Sequence, residues 1–476
     1  MLLERLQSIA GSTNVLTSPS DLIVYECDGF TIEKNKPDFV VFPSSTEQVV
    51  AVVKACNEFD VPFVPRGAGT SLSGGCLPVG GGVMICLSRM KRILEVNLRD
   101  RYALVEPGVV NLWLTRHLAP MGWHFAPDPS SQGACTIGGN VATNSGGPHT
   151  LKYGVTVNHV LGVEMVLPDG ELVHLGGPVE DGPGYDLTGV VVGSEGTFGI
   201  VTKVWCRITK NPAAYRTLLG VFETVDDATN TISDIIGAGI VPAALEMLDR
   251  LILGAIEDAF HFGFPLDAGA VLIMEVDGLE AGLDADAQRM TEIAMRNRAR
   301  EVRRAATTDE RLLLWKSRKQ AFGAIGRLAP SYCTQDGVVP RSKLPEILRF
   351  IQKTSEKHSI RIANVFHAGD GNIHPILLFD ERDADQVRRV LAASHDILEE
   401  CINMGGSVTG EHGIGVEKID LMPKLFSPED LSIMTRLRSA FNPEGRCSPA
   451  KMLPTSGACH EPSRIQRAAP GRRAAL

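Results

Sequence analysis

An α+β fold in two domains is what the sequence predicts, and three observations predict it. The first half alternates short apolar runs with three windows rich in glycine and small polar residues. From about residue 214 those windows give way to longer helical patterns interleaved with strand-like runs. At 476 residues, finally, the chain exceeds what one ordinary core accommodates.

Composition narrows the function classes. Apolar content of 44% and charged content of 22% are those of a soluble globular protein, and a net charge of −9 argues against nonspecific nucleic-acid binding. No apolar run is long enough to span a bilayer. The opening Met1-Leu2-Leu3-Glu4-Arg5 lacks the basic-then-apolar order of a secretory signal. Ten cysteines contain no C-x-x-C pair, so neither a zinc ribbon nor a chain-borne iron–sulfur cluster is indicated. Reduced thiols and a cytoplasmic location are the expectation.

In chain order, residues 1–35 read as an N-terminal helix and a connecting loop. Residues 38–42 form a short apolar strand, and Ser44-x-x-Glu47 matches a capping box ahead of Val49, Val50, Val52 and Val53. A strand at 61–64 runs into the first window, PRGAGTSLSGG (65–75). Gly67 and Gly69 start a dinucleotide fingerprint, but Leu72 stands where its third glycine belongs, and no Gly-Lys-Ser/Thr marks a P-loop. A strand feeding a glycine loop still sets backbone amides beside a pyrophosphate, so a phosphate cradle of another kind is expected.

Strand-like runs at 82–87, 93–96 and 103–105 lead to the second window, residues 127–153, which contains PDPSSQ (127–132) and IGGNVATNSGG (137–147). A polar, glycine-rich window is usually a solvated loop. Runs at 160–167 and 171–175 then precede the third, GSEGTFGIVT (193–202), where an apolar strand enters, glycines turn the chain and another strand leaves. Three such windows in one half point to an extended ligand with a phosphate-bearing middle.

The second half reads as helices at 225–236, 284–304, 343–358, 383–404 and 428–440, with strand-like runs at 271–276 and 365–379. Within the last run, Asp370-Gly371 signals a two-residue turn. That turn would pair 367 with 374 and face His367 and His374 across the hairpin, with Cβ atoms ~5 Å apart. Such a pair either binds one metal ion or packs without metal. Glu411-His412, on a glycine-flanked loop, can complete a two-His, one-carboxylate set while the second imidazole faces elsewhere. Arg318-Lys319, in a stretch of helical character, reads as surface by default. The residues after about 455 hold Arg464, Arg467, Arg472 and Arg473 without a core face and read as a disordered tail.

The three windows, with HAGDGNIHP (367–375) and EHGIG (411–415), resemble the flavin domain of the vanillyl-alcohol oxidase superfamily and its C-terminal partner. The likeness runs to about residue 455 and is most specific for the FAD-binding subunits of glycolate oxidases and the FAD-linked D-2-hydroxy-acid dehydrogenases. It implies a two-subdomain FAD-binding domain of the p-cresol methylhydroxylase (PCMH) type at 36–213, an α+β FAD-linked oxidase cap domain at 214–455, and a tail at 456–476. FAD, held noncovalently although His149 and Cys135 lie near in sequence, would touch Pro65, Arg66, Gly67, Ala68, Gly69, Thr70 and Ser71 of the first window. In the second it would touch Pro127, Ser131, Gly133, Thr136, Gly138, Gly139, Asn140, Thr143, Asn144 and Gly146, and in the third Glu195, Gly196, Gly199, Ile200 and Val201.

The resemblance further implies His367, His374 and Glu411 as ligands of a divalent metal (zinc first, iron or manganese as alternatives), His412 as catalytic base, and Arg318 as the grip on a substrate carboxylate, with Lys319 left on the surface. The implied reaction oxidises a small 2-hydroxy acid, glycolate or D-lactate, to the 2-oxo acid: the hydroxyl proton goes to His412 and the C2 hydride to flavin N5. Phe322, apolar where relatives for larger substrates carry polar residues, favours the small acid. Ser448-Pro449-Ala450-Lys451 departs from the Asn-Pro-x-Lys of relatives and removes an Asn contact to the flavin. Implied partners are a second flavin-type subunit and an iron–sulfur subunit at the inner face of the membrane, or a quinone acceptor. The alternatives are a stand-alone D-lactate or D-2-hydroxyglutarate dehydrogenase and, from a different class, a metal-dependent hydrolase whose glycine loops bind only phosphate.

Overall fold

The computed structural model describes residues 1–179 and 182–454, so the expected tail lies outside the described residues. Two small sheets built by the first half share a cavity, which the second half covers.

In the first sheet, strands Phe39–Val41, Val83–Cys86 and Phe63–Arg66 run parallel in that spatial order, with Val15–Leu16 antiparallel on the edge. Val40, Val41, Val83, Met84 and Ile85 are fully buried, the continuous apolar reading of a sheet covered on both faces. Helix Thr46–Glu58 packs Val49, Val52, Val53 and Cys56 onto it, joined by Leu2, Leu6 and Ala10 of helix Leu2–Ala10. The capping box sits one residue later than expected. Ser45 Oγ accepts from the amide of Gln48, and the Gln48 side chain, not Glu47, reaches back to the Ser44 amide at 2.8 Å.

The second sheet is antiparallel, in the order Ile93–Asn97, Tyr102–Val105, Ile200–Arg207, Val160–Val166, Leu172–Gly176. Strand Ile200–Arg207 alternates buried with half-buried residues, and its inner face meets helices Asn111–Leu118 and Ile137–Thr143. The third window is entered by a short helix, Leu187–Val191, where a strand was expected. Asp186 caps that helix through the Gly189 amide at 2.8 Å, a local hydrogen bond that overrides the β-branched character of Val190 and Val191.

The second half folds around a nine-stranded sheet whose main path runs Ala299–Arg304, Ala214–Phe222, Ala270–Gly278, Ala244–Asp249, Arg361–His367, Asn372–Ile373, Gly337–Val338. Pro375–Phe379 also lies beside Arg361–His367, with Ser331–Thr334 outside it. Helices Val225–Gly237, Glu280–Arg296 and Leu344–His358 cover one face; Arg250–Phe260 and Thr308–Ile325 cover the other. The helix expected over 284–304 therefore stops at Arg296. Arg298 takes a left-handed φ of 64° and the chain leaves as an edge strand whose charged side chains are largely solvent-facing. After helix Pro428–Phe441 the chain returns to the first sheet, where the Ser448 amide donates to the Phe63 carbonyl at 2.9 Å. Both ends of the described chain thus brace the same small sheet.

Candidate active site

A cavity of ≈ 330 Å³ lies where the three windows converge, a size at the lower end of small-ligand sites. Of the first window, residues Pro65 to Ser71 all line it. Arg66 turns its guanidinium away, donating to the Cys27 carbonyl at 2.9 Å and lying against Cys76 Sγ, so the loop offers the cavity mainly backbone. Gly69 takes a φ of 72°, and a Cβ there would fall 2.0 Å from Arg66 Nη2; only glycine lets the turn close over the arginine. Ser131, Thr136, Gly138, Gly139, Asn140 and Thr143 of the second window and Glu195, Gly196, Gly199, Ile200 and Val201 of the third also line the cavity.

Pro127, Gly133, Asn144 and Gly146 are not on that wall. The Pro127 carbonyl accepts from Asn111, and Asn144 ends helix Ile137–Thr143 in a left-handed turn while accepting from the Val157 amide at 2.8 Å. Gly146 instead faces the second half, where a Cβ would stand 3.1 Å from Glu411 Oε2. Cys135 lines the cavity, its thiol pKa raised by burial; His149 is bonded to Asp128 Oδ2 at 2.9 Å and packs on Trp315.

At one end the cavity reaches Glu411 and His412, and there the second half builds a polar cluster. The hairpin register differs from expectation by two residues: His367 pairs with Asn372 and Asn364 with Pro375, because residues 368–371 make a longer loop closed by Gly371 at a φ of 83°. An even shift keeps every side chain on its face. His367 and His374 become diagonal neighbours with ring centroids 5.1 Å apart. Glu411 Oε1 lies 3.2 Å from Nε2 of both. Ligand atoms of His367, His374 and Glu411 all fall within 4.8 Å of one another.

Two polar atoms of this cluster are left over. His374 Nε2 and Glu411 Oε2 are buried without a hydrogen-bond partner, a costly state that a cation shared by these groups relieves. A proton is held there otherwise. Burial pulls the His367 pKa down, but Glu246 and Glu411, one on each ring nitrogen, outweigh it and hold it well above the usual range.

A second grouping, Asp336 with His374 and His412, suits a metal less well. Asp336 Oδ2 already accepts from Thr409 Oγ1 and from the amides of Gly410, Glu411 and His412 at 2.6–3.1 Å, so its role is to fold the loop that carries Glu411 and His412. Glu195 does the same from the first half of the chain, accepting from the amides of Ile414 and Gly415 at 2.7 and 2.8 Å. His412 stacks on His374 at 4.9 Å, its Nδ1 is buried and unpartnered, and burial lowers its pKa to about 4. It is a neutral imidazole on the cavity wall.

Arg318 is fully buried on helix Thr308–Ile325. Its Nε donates to Glu246 Oε2 at 2.6 Å while Nη1 and Nη2 have no partner, leaving two parallel donors free. The other oxygen of Glu246 meets His367 Nδ1 at 2.7 Å. Lys319, expected on the surface, is exposed yet lines the cavity, as do Phe322, Tyr332 and Thr334. Lys451 is fully buried with its ammonium unpartnered, and burial lowers its pKa to about 8. Sequence reasoning missed Glu246 and Asp336. The signal for Glu246 is a lone acid inside an otherwise apolar six-residue strand, Ala244–Asp249, before its capping Asp249.

Comparison with known proteins agrees with this geometry. The FAD binding domain family matches residues 37–176, and the C-terminal domain of the FAD linked oxidases matches residues 211–452. The glycolate oxidase subunit GlcD of Escherichia coli (strain K12) is 44% identical over 94% of this chain and 90% of its own length. GlcD of Bacillus subtilis (strain 168) is 39% identical over 94% and 96%, and a mitochondrial D-lactate dehydrogenase [cytochrome] of Arabidopsis thaliana 34% over 88% and 74%. Among solved structures, p-cresol methylhydroxylase with substrate bound superimposes with a TM-score of 0.81 at 17% identity, covering 94% of this chain and 96% of that one, a likeness of fold. With a flavin-domain cavity roofed by a C-terminal oxidase domain, the chain belongs to the FAD-linked oxidases and is a flavin-dependent oxidoreductase.

Proposed function

We propose that this protein oxidises a small 2-hydroxy acid, glycolate or D-lactate, to the 2-oxo acid, with a divalent metal held by His367, His374 and Glu411. One arrangement carries the reading: Glu246 joins a metal-type histidine to an arginine whose two terminal nitrogens are free, beside a neutral histidine on the cavity wall. Bound FAD supplies the two-electron acceptor and the bound metal the Lewis acidity that loosens the hydroxyl proton. The backbone cradle of residues 65–71 and the orphaned Glu411 Oε2 and His374 Nε2 support both groups.

Arg318 receives the substrate carboxylate on Nη1 and Nη2, a bidentate match that fixes the acid's orientation. His412, neutral because burial disfavours its charged form, takes the hydroxyl proton as the C2–H bond electrons leave toward the flavin. Phe322 on the wall favours a short acid. With no cluster of its own suggested by the cysteine spacing, the chain hands its electrons on, to partner subunits of a glycolate oxidase assembly at the membrane face or to a quinone. Among the described residues no helix is long and apolar enough to cross a membrane.

A second reading has one observation behind it. Lys319 on the cavity wall offers a cation to a further carboxylate, as a 2-hydroxy diacid such as 2-hydroxyglutarate would need. Turnover with a dye acceptor, measured for glycolate, D-lactate and D-2-hydroxyglutarate with native protein and Lys319→Ala, separates the two. The proposal expects activity on the short acids that survives K319A. Activity confined to the diacid and abolished by K319A selects the second reading.

A further inference from the structure

We infer that Glu246 is a positioning residue that locks the metal site and the substrate-carboxylate site into one unit. This rests on the reading above, in which His367 is a ligand and Arg318 the carboxylate grip. Glu246 occupies the middle of strand Ala244–Asp249, is fully buried, and points both oxygens at donors: Oε1 at His367 Nδ1, 2.7 Å, and Oε2 at Arg318 Nε, 2.6 Å.

The two contacts act differently. Accepting from Nδ1–H leaves Nε2 as the ring nitrogen that would give up its proton to bind a metal, and Nε2 lies 3.2 Å from Glu411 Oε1, on the side where a metal would sit. Accepting from Nε orients the guanidinium edge-on, so Nη1 and Nη2, which have no other partner, project as a pair. Arg318 Nε and His367 Nδ1 thus lie on opposite oxygens of one rigid carboxylate. Strand Ala244–Asp249 is paired along one edge with Ala270–Gly278 and along the other with Arg361–His367, where Glu246 is the direct partner of His367. Register therefore sets the Glu246–His367 contact before any side chain is chosen. The helix bearing Arg318 is brought to the same carboxylate by packing on that face of the sheet.

An amide at 246 has one oxygen and one NH2, and both neighbours present N–H groups, so Glu246→Gln must lose one contact and oppose the other donor. Metal retention and carboxylate recognition then weaken together, which neither site would show if it were held independently.

The experiment uses the full-length flavoprotein, native and E246Q, with Glu275→Gln as a control. Glu275 is an equally buried carboxylate on the neighbouring strand, but it serves Arg311, Trp315 and Thr217 away from the metal ligands. Two affinities are read without turnover: zinc affinity by competition with a chromogenic chelator, and affinity for 2-hydroxyisobutyrate, which has no C2 hydrogen to lose, by perturbation of the flavin spectrum. E246Q is expected to weaken zinc by about 10–100-fold and to weaken 2-hydroxyisobutyrate alongside it, while E275Q lowers thermal stability and leaves both affinities near native. Unchanged affinities in E246Q, or equal losses in E275Q, overturn the inference. If E246Q does not fold, Glu246→Asp answers instead: its carboxylate is one methylene short of two fixed donors, so the same paired loss is expected and native affinities overturn the inference. Native protein that binds neither zinc nor 2-hydroxyisobutyrate defeats the underlying reading instead, a result separate from any property of position 246.

Discussion

We assign His412 the proton-accepting role on two properties, that it faces the cavity and that its Nδ1 is unpartnered; burial, which lowers its pKa to about 4, keeps it uncharged at the cost of basicity. His412→Ala should lose about 10²–10⁴-fold in turnover while keeping a native flavin spectrum, measured by steady-state kinetics beside an absorbance scan. Loss of the flavin would mean a structural role instead. In Arg318→Lys, KM for the 2-hydroxy acid should rise at least about tenfold, because a point charge replaces a planar fork; an unmoved KM would show that the carboxylate lies elsewhere. At this scale the sequence was legible where motifs cluster, since His367, His374, Glu411 and His412 do meet. It was opaque for Glu246 and Asp336, each a lone acid whose partners lie far along the chain, His367 for one and residues 409–412 for the other. Lys319 is on the surface as expected; that it also lines a cavity was not legible, because helical position shows which side faces solvent, not that a cavity opens there.

Among the elements, the glycine loop after strand Phe63–Arg66 has the least tolerance. Gly69→Ala places a Cβ into the Arg66 guanidinium at a φ of 72°. Strain of about 1–3 kcal/mol is expected, with FAD lost on gel filtration; full FAD retention would show that the loop does not need its left-handed turn. Strand positions were readable from apolar runs because these strands are buried, and most of the expected ones appear within a residue or two. Their register was not. The hairpin pairs two residues away from the tight-turn arrangement, since a four-residue loop competes with Asp370-Gly371 and packs its glycine against the Val339 carbonyl. Helix Glu280–Arg296 ended early for a similar reason: amphipathic period continues into residues that tertiary pairing uses as a strand.

For the whole molecule, the second glycine-rich window joins the two halves as well as forming a cavity wall. Lys152 and Tyr153 both bind Asp277 of the second domain, and His149 sits between Asp128, 2.9 Å away, and Glu275, 3.8 Å away, which also pairs with Arg311 at 2.6 Å. Burial lowers the His149 pKa, but the two carboxylates outweigh it and raise it to about 10, whereas the His149 and Arg311 contacts hold Glu275 at about 2 despite burial. A folded-state pKa above the unfolded value gives stability that is complete below pH 6.5 and lost as pH rises through about 10. Thermal melts of native protein and His149→Gln should therefore differ most near pH 6 and converge toward pH 10; a gap independent of pH would contradict the charged-imidazole latch.

A metal-assisted flavin oxidation of a 2-hydroxy acid is most directly tested by following the visible flavin spectrum anaerobically. Glycolate and D-lactate are added to metal-replete protein, to chelated protein, and to chelated protein given zinc or manganese. Rapid bleaching is expected in the replete protein, with loss of bleaching on chelation and recovery with metal. Bleaching that is equally fast after complete removal of the metal would contradict this chemistry, as would a replete flavoprotein that no 2-hydroxy acid reduces.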